Sequence, residues 1–333
     1  MNGRTALVTG AAGFVGRTLV RALSKAGYRV RAGVHRAHHN EFFAGCPAVE
    51  PVTVDILDQL SLAPAMAGAD EVYHFAALVD SRQSRDRLKE VNVVGTRNVW
   101  EAAASCGVKR ALYCSTTAVY GLLSSSCTAI TEDSRPKSVE PYGNTKLLGE
   151  TTALDVAKRT GLHTTIIRPV AIFGPGEHTP FGRQLRNAAF SKLLLAGGFQ
   201  GRGFNYVHVE DVAAAAIHLM ARNRPSGEVF NVCVNDPIAF EDAFQAYIRV
   251  LGKAGRSYSY IRFLAVCSAF LHRFPRALRW TSALLGERHA FRIWHPGFDL
   301  NYSSARLLGT SFRFRWTDFE TVLGSCVEPD RRD

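Results

Sequence analysis

Short apolar runs of strand length alternate with stretches of helical spacing through the first half of the chain, and that alternation leaves few folds open. The runs are Ala6 to Thr9, Arg29 to Val34, Val52 to Asp55, Glu71 to Phe75, Ala111 to Cys114 and Thr164 to Arg168. Between them, residues 15–26, 92–106 and 142–160 carry helical apolar spacing. The first two stretches run into Gly27 and Gly107, where a left-handed residue can close a helix. Strand then helix, repeated, predicts an α/β chain with a doubly wound parallel sheet and helices on both faces. After Arg168-Pro169 the rhythm gives way to connections rich in Gly and Pro, such as Gly174-Pro175-Gly176 and Gly197-Gly198, where a scaffold yields to elements of another kind.

Directly after the first run stands Gly10-Ala11-Ala12-Gly13-Phe14-Val15-Gly16, at the opening of the first helix. A glycine turn in that place lets the backbone approach a pyrophosphate, whose charge meets free N–H groups at the helix N-terminus. The chain is therefore expected to form a Rossmann domain with Gly10, Gly13, Phe14, Val15 and Gly16 at a dinucleotide. A tight turn with close helix packing is the structural alternative. NAD-binding chains of this architecture end the second strand in an acidic residue that bonds the adenosine 2′-hydroxyl. Val34 holds that place here, followed by His35 and Arg36, a cationic pair suited to the 2′-phosphate of NADP. NADP is the favoured cofactor and NAD the alternative, in which both side chains are simply solvated at a strand end. Asp55 with Ile56 is a candidate for the adenine amino group, or else a turn or helix-capping aspartate. The expected division is residues 1–168 for the dinucleotide domain and a smaller, mostly C-terminal substrate-binding region of residues 169–203 and 236–333. Residues 204–235, with strand-like runs at Tyr206 to Val209 and Val229 to Val234, are expected to rejoin the first sheet.

Tyr142-Gly143-Asn144-Thr145-Lys146 places a phenol and an ammonium on one face of a helix. Such a pair arises often by chance, but the strand before it ends in Cys114-Ser115-Thr116-Thr117, a hydroxyl cluster at the sheet edge where ligands of such folds bind. Reducing a ketone needs a proton donor at the developing alkoxide, and the reverse reaction needs its conjugate base. A phenol with a pKa near 10 is a poor base at neutral pH, so Lys146 is expected to lower it, aided in the oxidising direction by the nicotinamide cation. Tyr142 is read as the general acid/base. Lys146 is its partner and holds the nicotinamide ribose, and Thr116 bonds the substrate oxygen.

The chain resembles the extended short-chain dehydrogenases/reductases, a group that includes sugar-nucleotide epimerases and dehydratases, 3β-hydroxysteroid dehydrogenases and dihydroflavonol reductases. The stretches that carry the resemblance are GAAGFVG (10–16), DILD (55–58), YHFAAL (73–78), VNVVGTRNV (91–99), STTAVYG (115–121), PYGNTK (141–146), IRPVAIFGPG (167–176) and YVHVEDVA (206–213). The resemblance assigns the same roles to Tyr142, Lys146 and Thr116. It implies that Ala76, Ala77 and Arg168 line the cofactor and that Asn92 braces the sheet near the site; no metal is expected, since neither the cysteines nor the histidines show metal-ligand spacing. It also implies a homodimer in which helices 92–106 and 142–160 pair with their copies. Val93, Val94, Val99, Trp100 and Ala103 make the first of these helices apolar over more than one stripe, with Trp100 as the expected interface anchor.

Departures from the family pattern narrow the chemistry. Thr117 and Ala118 stand where 4,6-dehydratases carry an Asp-Glu pair, so dehydration is not expected. Ala171 and Phe204 stand where many 4-epimerases have an asparagine and a diphosphate-gripping arginine, for which Arg183, Arg186 or Arg202 could substitute. Thr131-Glu132-Asp133 resembles the epimerase side, whereas Arg168-Pro169 and residues 299–309 resemble the steroid-dehydrogenase and dihydroflavonol-reductase side. The favoured function is hydride transfer between a nicotinamide and a secondary alcohol or ketone on a fairly apolar substrate. A sugar-nucleotide 4-epimerase and a non-catalytic NADP-sensing protein are the alternatives.

Composition excludes other classes. The N-terminal residues lack a signal-peptide pattern, and seven cysteines without a Cys-x-x-Cys pair argue against a disulfide framework or zinc site, so a cytoplasmic protein with free thiols is expected. The net charge of +11 comes without a Lys/Arg block of the kind that binds nucleic acid. The excess gathers late, with 14 Lys/Arg against 7 Asp/Glu from Arg249 onward. Residues 261–294 mix aromatic residues with arginines, which reads as packing helices, a lid over an apolar substrate, or a weak membrane-surface contact.

Overall fold

β1 (Thr5–Thr9) is buried along its whole length, as a strand covered on both faces must be. In the computed structural model, residues 3–79, 83–121, 129–138, 140–177, 182, 194–196, 203–252, 260–262, 292–294 and 300–327 are described. β2 (Arg29–Val34), β3 (Val49–Thr53), β4 (Glu71–His74), β5 (Arg110–Cys114) and β6 (His163–Pro169) follow in chain order. The short strands β7 (Ala171–Phe173), β8 (Leu194–Ala196), β9 (Gly203–Phe204) and β10 (Tyr206–His208) then lead to β11 (Glu228–Val232). The central sheet has seven strands in the order β11-β6-β5-β4-β1-β2-β3, and every pairing in it is parallel. The chain winds outward from β1 through β2 to β3, then returns to lay β4 on the other side. That reversal opens a crevice at the carboxyl ends of β1 and β4, where ligands bind in open α/β sheets.

Helices cover both faces. α1 (Phe14–Lys25) and the helix Val209–Met220 bury Leu19, Val20, Leu23, Val212, Ala216 and Leu219 against one face. α2 (Gln59–Met66), the short α3 (Arg85–Lys89), α4 (Gly95–Ser105) and α5 (Pro141–Thr160) follow in sequence. α2, α4 and α5 bury Leu62, Val99, Trp100, Ala103, Ala153 and Val156 against the other face. The stretch expected as one helix over 92–106 is divided: a π-helical turn, Glu90–Val94, precedes α4. The buried Asn92 in that turn accepts from Leu78 N–H at 2.8 Å and donates to Leu78 C=O at 3.0 Å and Thr145 Oγ1 at 3.1 Å, tying the loop after β4 to α5.

Three expectations need correction. Trp100 is not an interface anchor: it is 0% exposed, its indole N–H donates to Thr164 Oγ1 at 2.9 Å, and its ring meets His74 and Tyr113 edge-on. α4 is apolar on several sides because it packs on the sheet while touching α2 and α5. The exposed apolar side chains of the π turn and α5 are Val94 and Leu148. The third strand begins and ends earlier than its apolar run predicts, so Asp55 lies past β3 in a turn, where Oδ1 accepts from Leu57 N–H at 2.9 Å. Of residues 204–235, only β11 joins the central sheet. β10 pairs instead with β7, the continuation of β6 beyond Val170.

A second, smaller core gathers Phe173, Phe204, Tyr206, Phe240, Tyr247, Phe319 and Leu323. β9 pairs with β12 (Ile238–Ala239), and β8 lies between β13 (Tyr260–Arg262) and β14 (Arg292–Trp294). Apart from those two strands the basic, aromatic stretch 261–294 lies outside the described residues, as do Arg183, Arg186 and Arg202. Among the described residues no helix is long and apolar enough to cross a membrane, and no cluster of His, Cys, Asp and Glu could hold a metal ion.

Candidate active site

The glycine loop follows β1 into α1, and close approach explains its composition. Gly10 has a φ of +71°, and a Cβ there would lie 2.5 Å from Ala76 N; one on Gly16 would lie 2.1 Å from Gly10 O. The loop therefore sits flush against the segment after β4 and against the end of β2, where Ala11 N–H bonds Gly33 C=O at 3.2 Å. What remains is bare backbone at a helix N-terminus, with Gly13 exposed as its N-cap. The side chains of Phe14 and Ile56 are buried, Ile56 in the core under α2 and α4. Val15, Ala76 and Ala77 are partly exposed. His35 and Arg36 stand exposed at the end of β2, with His35 Nδ1 4.0 Å from Asp55 Oδ2.

The reaction centre forms where β5 and α5 meet. Thr116 caps the short 3-10 turn Thr117–Tyr120, its hydroxyl accepting from Ala118 N–H at 3.2 Å. α5 opens with Pro141 in its first turn and Glu140 as N-cap, the carboxylate accepting from Gly143 N–H at 2.9 Å. This start sets the Tyr142 phenol beside Thr116, near enough for the Thr116 hydroxyl to lower its pKa. One helical turn on, Lys146 is 2% exposed, with Nζ 4.1 Å from the centroid of the Tyr113 ring. Burial lowers the Lys146 ammonium to about 8 against the attraction of Cys114 and Glu150.

The phenol departs from expectation. Burial pushes Tyr142 well above the usual phenol range, Cys114 and Glu140 add to the rise, and the neighbouring Thr116 opposes it. The Lys146 charge lies over the Tyr113 ring and acts on Cys114 and His74. Sequence reasoning missed Cys114 and Glu140 as neighbours that tune the phenol. The Pro141 signal for a helix start was available for Glu140.

Arg168 does not line the cofactor crevice. Its guanidinium forks onto Glu150 at 2.9 and 2.6 Å and donates to Tyr120 OH at 2.8 Å, with both partners of the ion pair almost fully buried. Its place on β6 beneath α5 directs it into this pair. Glu132, in the stretch that resembles epimerases, accepts from Asn231 N–H at 2.8 Å on β11. Phe204 is sealed in the second core, 5.0 Å from the Phe240 ring centroid.

These residues fit a nicotinamide dinucleotide. Gly10 and Gly16 leave the bare backbone a pyrophosphate needs, and beside Thr116 the Ser115 hydroxyl is buried with no partner among the described residues.

Comparison with known proteins agrees. The model of the NAD dependent epimerase/dehydratase family matches residues 6–233. The chain is 35% identical over 222 residues to "Sterol demethylase protein B" of Methylococcus capsulatus, covering 65% of this chain and 66% of that protein. It is 28% identical over 301 residues to a 3-beta-hydroxysteroid dehydrogenase of Mycolicibacterium neoaurum, covering 85% of this chain and 78% of that protein. The fold superposes on UDP-glucuronic acid 4-epimerase from Bacillus cereus, solved with NAD, with a TM-score of 0.74 at 21% identity, covering 97% of each chain. A parallel sheet reversing at β1, a glycine loop beneath it, a Tyr and Lys one turn apart on α5 and a family model spanning most of the chain lead to one conclusion. The chain belongs to the NAD dependent epimerase/dehydratase family, among the extended short-chain dehydrogenases/reductases.

Proposed function

We propose that the chain is an NAD(P)-dependent oxidoreductase that moves a hydride between the nicotinamide and a secondary alcohol or ketone carbon of a fairly apolar substrate. The observation that carries this reading is Tyr142 with the buried Lys146 one turn on along α5, set beside Thr116 at the end of β5. The nicotinamide, when bound, supplies or accepts the hydride. Thr116 holds the substrate oxygen within reach of the phenol, and Tyr142 gives its proton to the developing alkoxide. A phenol held protonated by burial suits the reductive direction. Lys146 holds the nicotinamide ribose, with Gly10, Gly13, Phe14, Val15, Gly16, Ala76 and Ala77 along the dinucleotide.

The apolar substrate is supported by Phe204, which puts a buried ring where many sugar-nucleotide relatives carry a diphosphate-gripping arginine. The names of the two curated relatives point the same way. Residues 169–203 and 236–333 form the substrate side in this reading. His35 and Arg36 favour NADPH, and Val94 with Leu148 supports a homodimer through α4 and α5. Cys46, Cys106, Cys114, Cys233 and Cys326 are free thiols, which suits the cytosol.

The experiment is ketone reduction by Tyr142→Phe, read with cofactor titration and with the nucleotide released on denaturation. Turnover should fall by about three orders of magnitude or more, with dinucleotide affinity within about threefold of wild type. Wild-type turnover in that variant refutes the role of Tyr142. Stoichiometric NAD released from wild type would favour a 4-epimerase, which keeps its cofactor through both half-reactions.

A further inference from the structure

Arg17 stands in the first turns of α1, just beyond the glycine loop, partly buried and without a carboxylate or hydrogen-bond partner among the described residues. Its guanidinium carbon lies 4.8 Å from the centroid of the Phe42 ring. Phe42 is 39% exposed and stacks on His39 at 5.5 Å. On the other side, a Cβ built on Gly176 would come within 3.6 Å of a terminal nitrogen of Arg17. The cation is thus held between the segment that follows β2 and the loop that follows β7, on the outer side of the helix turn that opens from the glycine loop.

Other partly buried arginines spend their donors within the chain. Arg31 donates to the carbonyls of Ala65 and Ala67 at the end of α2, Arg224 forks onto Glu228, and Arg306 meets Asp133. Withdrawing a guanidinium from water without such a partner costs free energy, and the face of a single ring offsets only part of it. The planar fork left over matches a phosphate better than a point charge would. The anions that a nicotinamide dinucleotide brings to this part of the fold are phosphates.

We infer that Arg17 is a phosphate ligand of the bound dinucleotide, reaching it from the outer side of α1 and kept in place by Phe42. The contact adds a side-chain cation to the backbone N–H groups of the glycine loop and closes the phosphate site on the side facing water. The cofactor offers one chemistry from two places, the pyrophosphate and, in NADPH, the 2′-phosphate.

The test is titration of NADH and NADPH by fluorescence on wild type, Arg17→Met, Arg17→Lys, Phe42→Leu and Arg21→Met. Arg17→Met should raise Kd about tenfold or more, the scale of one charge-assisted hydrogen bond. Phe42→Leu should raise it less, for the same cofactor. Arg21, exposed farther along the same helix, is the control, and its variant should bind as wild type does. A loss shared by both cofactors assigns Arg17 to the pyrophosphate, and a loss confined to NADPH assigns it to the 2′-phosphate. A folded Arg17→Met, checked by its melting curve, that binds both within twofold of wild type overturns the inference. Where the Met variant does not fold, Arg17→Lys keeps the charge but loses the fork, and an unchanged Kd in it is equally fatal. Wild type that binds neither cofactor would instead overturn the dinucleotide reading itself.

Discussion

Lys146 shows how much of this site rests on a single buried charge. The side chain is 2% exposed, and burial holds its ammonium at about 8 rather than the usual 10.5. The protonated form is the charged one, so the cation is present below pH 8 and is lost as pH rises through that value. Holding the ribose needs the cation. Dinucleotide affinity is therefore expected to weaken from pH 7 to pH 9, and Lys146→Ala should bind more weakly at pH 7 with a flatter profile. Fluorescence titration across that range checks it, and parallel profiles for the two proteins would remove Lys146 from the ribose. The identities of Tyr142, Lys146 and Thr116 were legible in the sequence because helix spacing and strand-end position are local properties. The raised phenol was not legible, since it depends on burial and on Cys114, which only the packing of β5 against α5 brings close.

At the scale of elements, the π turn Glu90–Val94 is the feature that ties α5 to the loop after β4. Asn92 uses its amide to hold both backbone groups of Leu78 and the hydroxyl of Thr145, next to Lys146 on α5. Asn92→Ala removes those bonds and leaves buried groups unsatisfied, a cost of roughly 2–4 kcal/mol. Urea unfolding should show that loss in the midpoint. Without denaturant, turnover and cofactor affinity should both fall, because α5 carries the proposed proton donor Tyr142 and Lys146, proposed to hold the ribose. Equal stability of mutant and wild type would show that water replaces the amide. Apolar breadth in residues 92–106 pointed to burial on several sides, and the structure resolves it as packing within the subunit. A periodicity argument does not distinguish a neighbouring helix from a neighbouring protein.

For the molecule as a whole, two buried histidines contribute to the response to acid. His74, bonded to Thr9 and Thr96, is lowered by burial to about 3. His208, stacked on Trp316 and bonded to Ser325, is lowered by burial to about 4. Their unfolded-state values lie near 6.5, so below that pH the unfolded chain takes up protons that the folded chain refuses. Stability is therefore full above pH 6.5 and falls as pH drops toward 4, by up to about 1.4 kcal/mol per unit for each histidine. Melting temperatures between pH 7.5 and 4.5 should show this, and His208→Gln should flatten the slope; an unchanged slope would mean another group titrates there. Assembly belongs to this scale too. Leu148→Glu combined with Val94→Glu is expected to give monomers by light scattering with secondary structure intact, and a dimer that survives the change would place the interface elsewhere.

By itself the sequence determined the α/β class, the succession of strands along the chain up to β6 and the glycine loop, and it named Tyr142, Lys146 and Thr116 as candidates. Each of these is written in short-range periodicity, turn glycines or fixed spacing, which survive any change of surroundings. Tertiary structure decided that Arg168 pairs with Glu150, that Trp100 is core, that β10 pairs outside the central sheet, and that the Arg17 guanidinium stands over Phe42 with no carboxylate partner among the described residues. Those outcomes depend on which side chains distant segments bring within a few ångströms of each other. A guanidinium on a strand takes whichever anion the neighbouring helix presents, and nothing in its own stretch of sequence specifies that choice.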